Sequence, residues 1–198
     1  MSKVSTERSE DAEAATDCFI IDGRSSRFMV RAFATGMLSA MGHNPNIGIR
    51  DLSGEFSFDP EQLNASGFRL VIKSSSLGVV DDISDRDRRE MERLMNQEVL
   101  ETTKFPEIIY EANDIPATKM GDSLYSATLN GKLTLRSVTQ SEPIVARIAL
   151  QGCMLRASGD FSLSQSTYGI RPVSVAGGVL KLKDELKLQF EIVARKRE

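Results

Sequence analysis

The stretch YSATLNGKLTLR, residues 125–136, decides the fold. Tyr125, Ala127, Leu129, Gly131, Leu133 and Leu135 alternate there with Ser126, Thr128, Asn130, Lys132, Thr134 and Arg136. A period of two sends successive side chains to opposite faces of a strand, so this segment has one apolar face and one wet face. The pattern recurs on both sides of it. Phe68, Leu70 and Ile72 form one apolar row and Ile144, Ala146, Ile148 and Leu150 another. Leu155, Ala157, Gly159, Phe161 and Leu163 follow, then Leu186, Leu188, Phe190 and Ile192. Turn chemistry at Asp59-Pro60, Gly121-Asp122, Ser141-Glu142-Pro143 and Gln151-Gly152 predicts consecutive antiparallel hairpins without βαβ units. Lys183-Asp184-Glu185 is read as a further turn. Asp184 has the parity of Leu182 and Leu186, and an unpaired carboxylate turned into a lumen costs several kcal/mol.

Half-polar strands that all need the same buried face close best into a barrel, which removes exposed edges; a β-sandwich is the alternative. The fold class is therefore mainly β, an antiparallel barrel. Ala127, Gly131, Ala157 and Gly159 on the apolar faces either let the sheet coil tightly or leave interior space. One segment breaks the period. Residues 84–100 carry Ser84 and Asp87 at capping-box spacing and Met91, Leu94, Met95 and Val99 on one stripe, which predicts a single helix covering a barrel mouth. Its stripe serves either as ordinary core or, through adaptable thioethers, as a movable lid made of Met91, Leu94 and Met95. The charges from Asp85 to Arg93 are read as a solvated face.

With 198 residues, 40% of them hydrophobic, and a net charge of -3, the chain has the arithmetic of one soluble domain. That domain is placed at 18–195, after a disordered acidic tail at 1–17 that lacks Leu, Ile and Phe and so resembles no export signal. Nearly balanced charge removes nucleic acid from the expected partners. Residues 32–49 are long and free of formal charge, but Gly36, Gly42, Asn44, Pro45, Asn46 and Gly48 interrupt them, and they are read as a loop. No integral membrane association is expected. Cys18 and Cys153 have neither ligand nor CxxC spacing, are read as free thiols and suit a cytoplasmic location.

His43 is the only histidine, and no metal site or nucleophile motif surrounds it. A hydrolase using His43 is thus the least favoured function, and no catalytic residue, metal or cofactor is expected. What remains is the apolar interior of Phe28, Val30, Phe68, Leu70, Ile72, Leu129, Leu133, Ile148, Leu150, Phe161, Leu188, Phe190 and Ile192. Periodicity alone leaves open whether these residues pack as a filled core or line a cavity.

The order of several blocks resembles the YceI-like family, also called polyisoprenoid-binding proteins. The opening block runs Ile21-Asp22-Gly23-Arg24-Ser25-Ser26-Arg27-Phe28, and Leu52-Ser53-Gly54-Glu55-Phe56-Ser57-Phe58-Asp59-Pro60 is similar to a second. Phe68 to Leu77, the Arg-rich helix and Lys104-Phe105-Pro106-Glu107-Ile108 form the most characteristic piece. Asn130-Gly131-Lys132-Leu133-Thr134-Leu135-Arg136-Ser137-Val138-Thr139 and Ser166-Thr167-Tyr168-Gly169-Ile170 complete the resemblance. It implies a lipocalin-like barrel of about eight strands that holds a polyisoprenoid, a quinone or a related amphiphile as a carrier, storage or sensor protein. The interior residues above would line the ligand, with Tyr110, Tyr125 and Tyr168 as polar-tipped contacts. This chain departs from the family pattern at Ser25, where the family has His, at Gln165, where it has Arg, and in a longer loop near 36–45. The competing expectation is a filled barrel that docks a protein partner through its Arg-rich helix. A homodimer is compatible with either.

Overall fold

Alternation becomes register in a computed structural model that describes residues 17–35, 44–58, 67–175 and 180–197. The strands are β1 (Asp17–Ile21), β2 (Arg27–Arg31), β3 (Ala34–Thr35), β4 (Asn46–Ile49), β5 (Leu52–Phe58), β6 (Gly67–Lys73) and β7 (Leu77–Val79). Helix α1 (Asp85–Leu94) follows, ending in a wider π turn, Met95–Val99. Then come β8 (Glu107–Ala112), β9 (Ala117–Gly121), β10 (Leu124–Leu135), β11 (Val138–Gln151), β12 (Met154–Ser164), β13 (Ser174–Val175), β14 (Leu180–Leu182) and β15 (Glu185–Lys196).

The barrel runs β1-β5-β6-β8-β10-β11-β12-β15 and closes where β15 pairs antiparallel with β1, Ile21 facing Ala194. The first half of β15 pairs with β2 instead, Phe190 facing Phe28, and β4 and β7 continue the sheet from there. Between β1 and β2 the chain bends at Asp22, whose carboxylate accepts from the backbone N–H of Arg24 and Ser25 and from Ser25 Oγ at 2.9 Å. These bonds hold the Asp22 carboxyl below the usual carboxylate range.

Two expected loops are strands. Residues 46–49 form β4, paired with β2 and β7, because Ile47 and Ile49 gain burial against the core. Ser141-Glu142-Pro143 lies inside β11, and the hairpin turns at Arg136-Ser137, whose φ angles are 49° and 65°. Two positive φ values give the mirror-image turn that matches strand twist, although Arg-Ser is not its usual sequence. From that turn the ladder alternates, and Asn130 facing Pro143 falls at a position without ladder bonds. The donor that Pro143 lacks would therefore have pointed away from β10, toward β12. There β12 pairs with β11 only from Arg147 facing Ser158 to Gln151 facing Met154. Residues 138–146 leave a seam in the wall. The 3₁₀ turn Gln165–Tyr168 fills it, with Gln140 Nε2 donating to the Thr167 carbonyl at 3.5 Å and the Tyr168 hydroxyl to Glu142 Oε2 at 3.2 Å.

The other turns fall close to expectation. Asp122 and Ser123 join β9 to β10, and Gly152, at φ 59°, leads from β11 to β12. Asp184 separates β14 from β15, its carboxylate accepting from Ser166 N and Ser166 Oγ, both at 2.7 Å. Asp59-Pro60, His43 and most of the tail lie outside the described residues, although Asp17 already belongs to β1.

Ser84 caps α1 by accepting from Asp87 N at 3.1 Å. Its charged residues are not all solvated. Arg88 donates to the carbonyls of Val79 and Asp81, and Glu92 Oε1 accepts from Val79 N at 3.0 Å. Strand β7 ends the sheet, so these side chains satisfy a rim that would otherwise stand open. At its far end the helical segment is held by Arg136, which donates to the Val99 carbonyl at 3.2 Å, pairs with Glu101 and lies 5.9 Å from the Phe105 ring centre. No helix among the described residues is long and apolar enough to cross a membrane.

Candidate functional site

The inward faces of the staves meet over an aromatic floor. Phe56 and Phe58 stack at 5.5 Å, Phe58 meets Tyr125 edge-on at 5.2 Å, and Phe56 meets Phe68 at 5.9 Å. Above the floor is a cavity of about 140 Å³. Its lining is apolar. An ordered water needs two or more polar partners, so a lining of this kind suits an apolar guest better than ordered water.

Phe28, Val30, Phe68, Leu70, Ile72, Tyr110, Leu129, Leu133, Ile148, Phe161, Leu188, Phe190 and Ile192 form the wall, as their parity requires. Three expected residues do not. Tyr125 is spent in the floor against Phe58. Leu150 keeps inward parity but sits beside the Gln151 to Met154 hairpin end, is only half-buried and does not line the cavity. Tyr168, 1% exposed, fills the seam. Wall residues that were not anticipated include Ile49 and Leu77 on the short strands β4 and β7, Leu100 after the π turn, and Ile108 on β8. Strands of three or four residues leave too little alternation to detect; for Ile108, parity with the buried Tyr110 was the available signal.

The two inward glycines do not make the space. A methyl group on Gly131 would lie 2.3 Å from Tyr110 Cζ, and one on Gly159 would lie 2.8 Å from Phe190 Cζ and 2.6 Å from the Val145 carbonyl oxygen. Each glycine lets an aromatic ring lie flat on the neighbouring strand. The Tyr110 hydroxyl is thereby set 2.9 Å from the carbonyl oxygens of both Leu129 and Glu142, its single proton shared between them. Burial pushes this phenol, and that of Tyr168, well above the ordinary tyrosine range.

A second cavity of about 150 Å³ lies beneath α1. Met91, Leu94, Met95 and Val99 roof it, and Val30, Leu77, Leu100 and Leu186 belong to both cavities. The helix therefore sits over the mouth with the lumen opening toward its apolar stripe.

Glu142 shares the inward parity of Ile144 and Ala146, and burial raises its carboxyl above the usual range although Tyr168 donates to it. A raised carboxylate penalises folding once pH exceeds the ordinary carboxylate value, and the penalty vanishes below it. Glu142→Gln, which keeps an acceptor for Tyr168, should raise the Tm at pH 7, with the gain shrinking to nothing as pH falls through the carboxylate range. Thermal unfolding across pH checks this, and a gain that persists at low pH would contradict it.

Among the described residues no three His, Cys, Asp or Glu side chains come together to hold a metal, and Cys18 and Cys153 are unpaired. The sequence model of the YceI-like domain matches residues 20–194. A UPF0312 protein of Azotobacter vinelandii is 29% identical over 154 residues, covering 77% of this chain and 69% of that protein. The crystal structure of Burkholderia cenocepacia BcnA superposes with a TM-score of 0.65 at 16% identity, over 87% of this chain and 98% of that one. A polyisoprenoid binding domain from Saccharophagus degradans, implicated in plant cell wall breakdown, also gives 0.65, at 12% identity over 92% and 100% of the two chains. At such identities the structures share the fold, and the sequence match spans barrel and helix alike: the chain belongs to the YceI-like domain family.

Proposed function

We propose that this chain binds a long apolar lipid, a polyisoprenoid, an isoprenoid quinone or a related amphiphile, in the lumen and beneath α1. It acts as a carrier, storage or sensor protein and not as an enzyme. The observation that supports this is the apolar lumen sharing Val30, Leu77, Leu100 and Leu186 with the cavity under the Met-rich helix. About ten buried methylene-sized groups, at about 0.8 kcal/mol each, match micromolar affinity before any ordering cost. Only a longer chain has a surplus. The two unpaired thiols accord with a cytoplasmic setting. Docking of a protein partner through the helix has less support, since Arg88 and Glu92 are engaged by Val79 and Arg93 by Glu90. Native mass spectrometry of protein purified from cells, with organic extraction, tests the reading. A co-purifying long-chain lipid is expected. Apoprotein that also fails to take up an added polyprenyl lipid would refute it.

A further inference from the structure

Gln165 is the one amide side chain that borders the cavity beneath α1, and no charged residue joins it there among the described residues. It is 4% exposed. Its Nε2 donates to the carbonyl oxygens of Lys183 at 3.0 Å and Asp184 at 3.4 Å. Both partners can only accept, which fixes the orientation of the amide. Among the described residues Oε1 receives no hydrogen bond, yet it is not sealed in as Asn96 Oδ1 is. The side chain borders the cavity beneath α1. What the described wall offers a polar group is therefore one neutral acceptor, with no cation among its described residues.

We infer that Gln165 selects lipids whose polar end is an uncharged hydrogen-bond donor, a prenyl alcohol or phenol, over prenyl phosphates and over quinones in the oxidised, acceptor-only form. This deepens the lipid-binding reading and rests on it. An O–H gives Oε1 its missing donor. A phosphate would lose its water without gaining a counter-charge, and a keto group would face another acceptor.

Calorimetric titration of delipidated protein with geranylgeraniol, its methyl ether and its diphosphate separates the possibilities with one apolar chain. The alcohol is expected to bind about tenfold more tightly than the ether and more than about a hundredfold more tightly than the diphosphate. Gln165→Arg should reverse the order of alcohol and diphosphate. If that variant does not fold, the wild-type ranking decides alone. Alcohol and ether binding equally, or the diphosphate binding best, would overturn this inference and leave the lipid-binding reading intact. Binding of none of the three would overturn both.

Discussion

In Leu133→Trp, uptake of a polyprenyl ligand falls by at least about tenfold while the barrel stays folded; this is the result expected if the lumen is a ligand tunnel. Leu133 lines the cavity from β10, facing Tyr110 on β8 and Gln140 on β11. The larger ring would extend into free volume above the Phe56–Phe58 floor and add apolar contacts where a lipid chain would run. A close-packed interior responds differently, because forcing extra volume into it costs about 1–3 kcal/mol. For a chain of this size that is a Tm loss of about 2–4 °C per kcal/mol. Thermal unfolding beside a fluorescence titration with a polyprenyl analogue makes the distinction. Marked destabilisation of the variant, together with no uptake by the wild type, would remove the tunnel.

Gly131→Ala should be strongly destabilising. It would place Cβ 2.3 Å from Tyr110 Cζ and 2.8 Å from the Glu111 carbonyl oxygen. The ring must leave, and its hydroxyl then loses the carbonyls of Leu129 and Glu142. Overpacking and a stranded phenol each cost about 1–3 kcal/mol, so the sum expected is about 3 kcal/mol and a Tm lower by roughly 6–12 °C. Combining it with Tyr110→Leu should recover part of that loss, since the two side chains compete for one place. Denaturant unfolding of the two single variants and the double variant checks this. Strictly additive losses would show that the Tyr110 ring is not what Gly131 accommodates.

The barrel was legible because its long strands carry their own evidence. Twelve residues of β10 and eleven of β12 alternate enough to fix which side chains point inward. The helix was legible for a similar reason, its cap and apolar stripe being local. Pro143 misled because proline is a turn signal only where the chain needs no partner on its nitrogen, and the seam supplies such a place within a strand. Arg88 and Glu92 were read as solvated because the strand rim they satisfy, at Val79, is a tertiary feature. Tyr125 and Tyr168 have the right chemistry for ligand contact, but the floor and the seam claim them. Parity gives the side of the sheet and not the height along the barrel axis, which depends on where β11 and β12 part.

That parting has a consequence for solubility. A row of unpaired backbone groups is ordinarily a template for intermolecular strand addition, the first step toward polymerisation. Along residues 138–146 a visiting strand would reach Pro143 on its exposed side and find no donor, so the new ladder would fail midway. Tyr168, set across the gap onto Glu142, occupies the same approach. The wall is interrupted without offering other copies of the chain a continuous surface on which to aggregate.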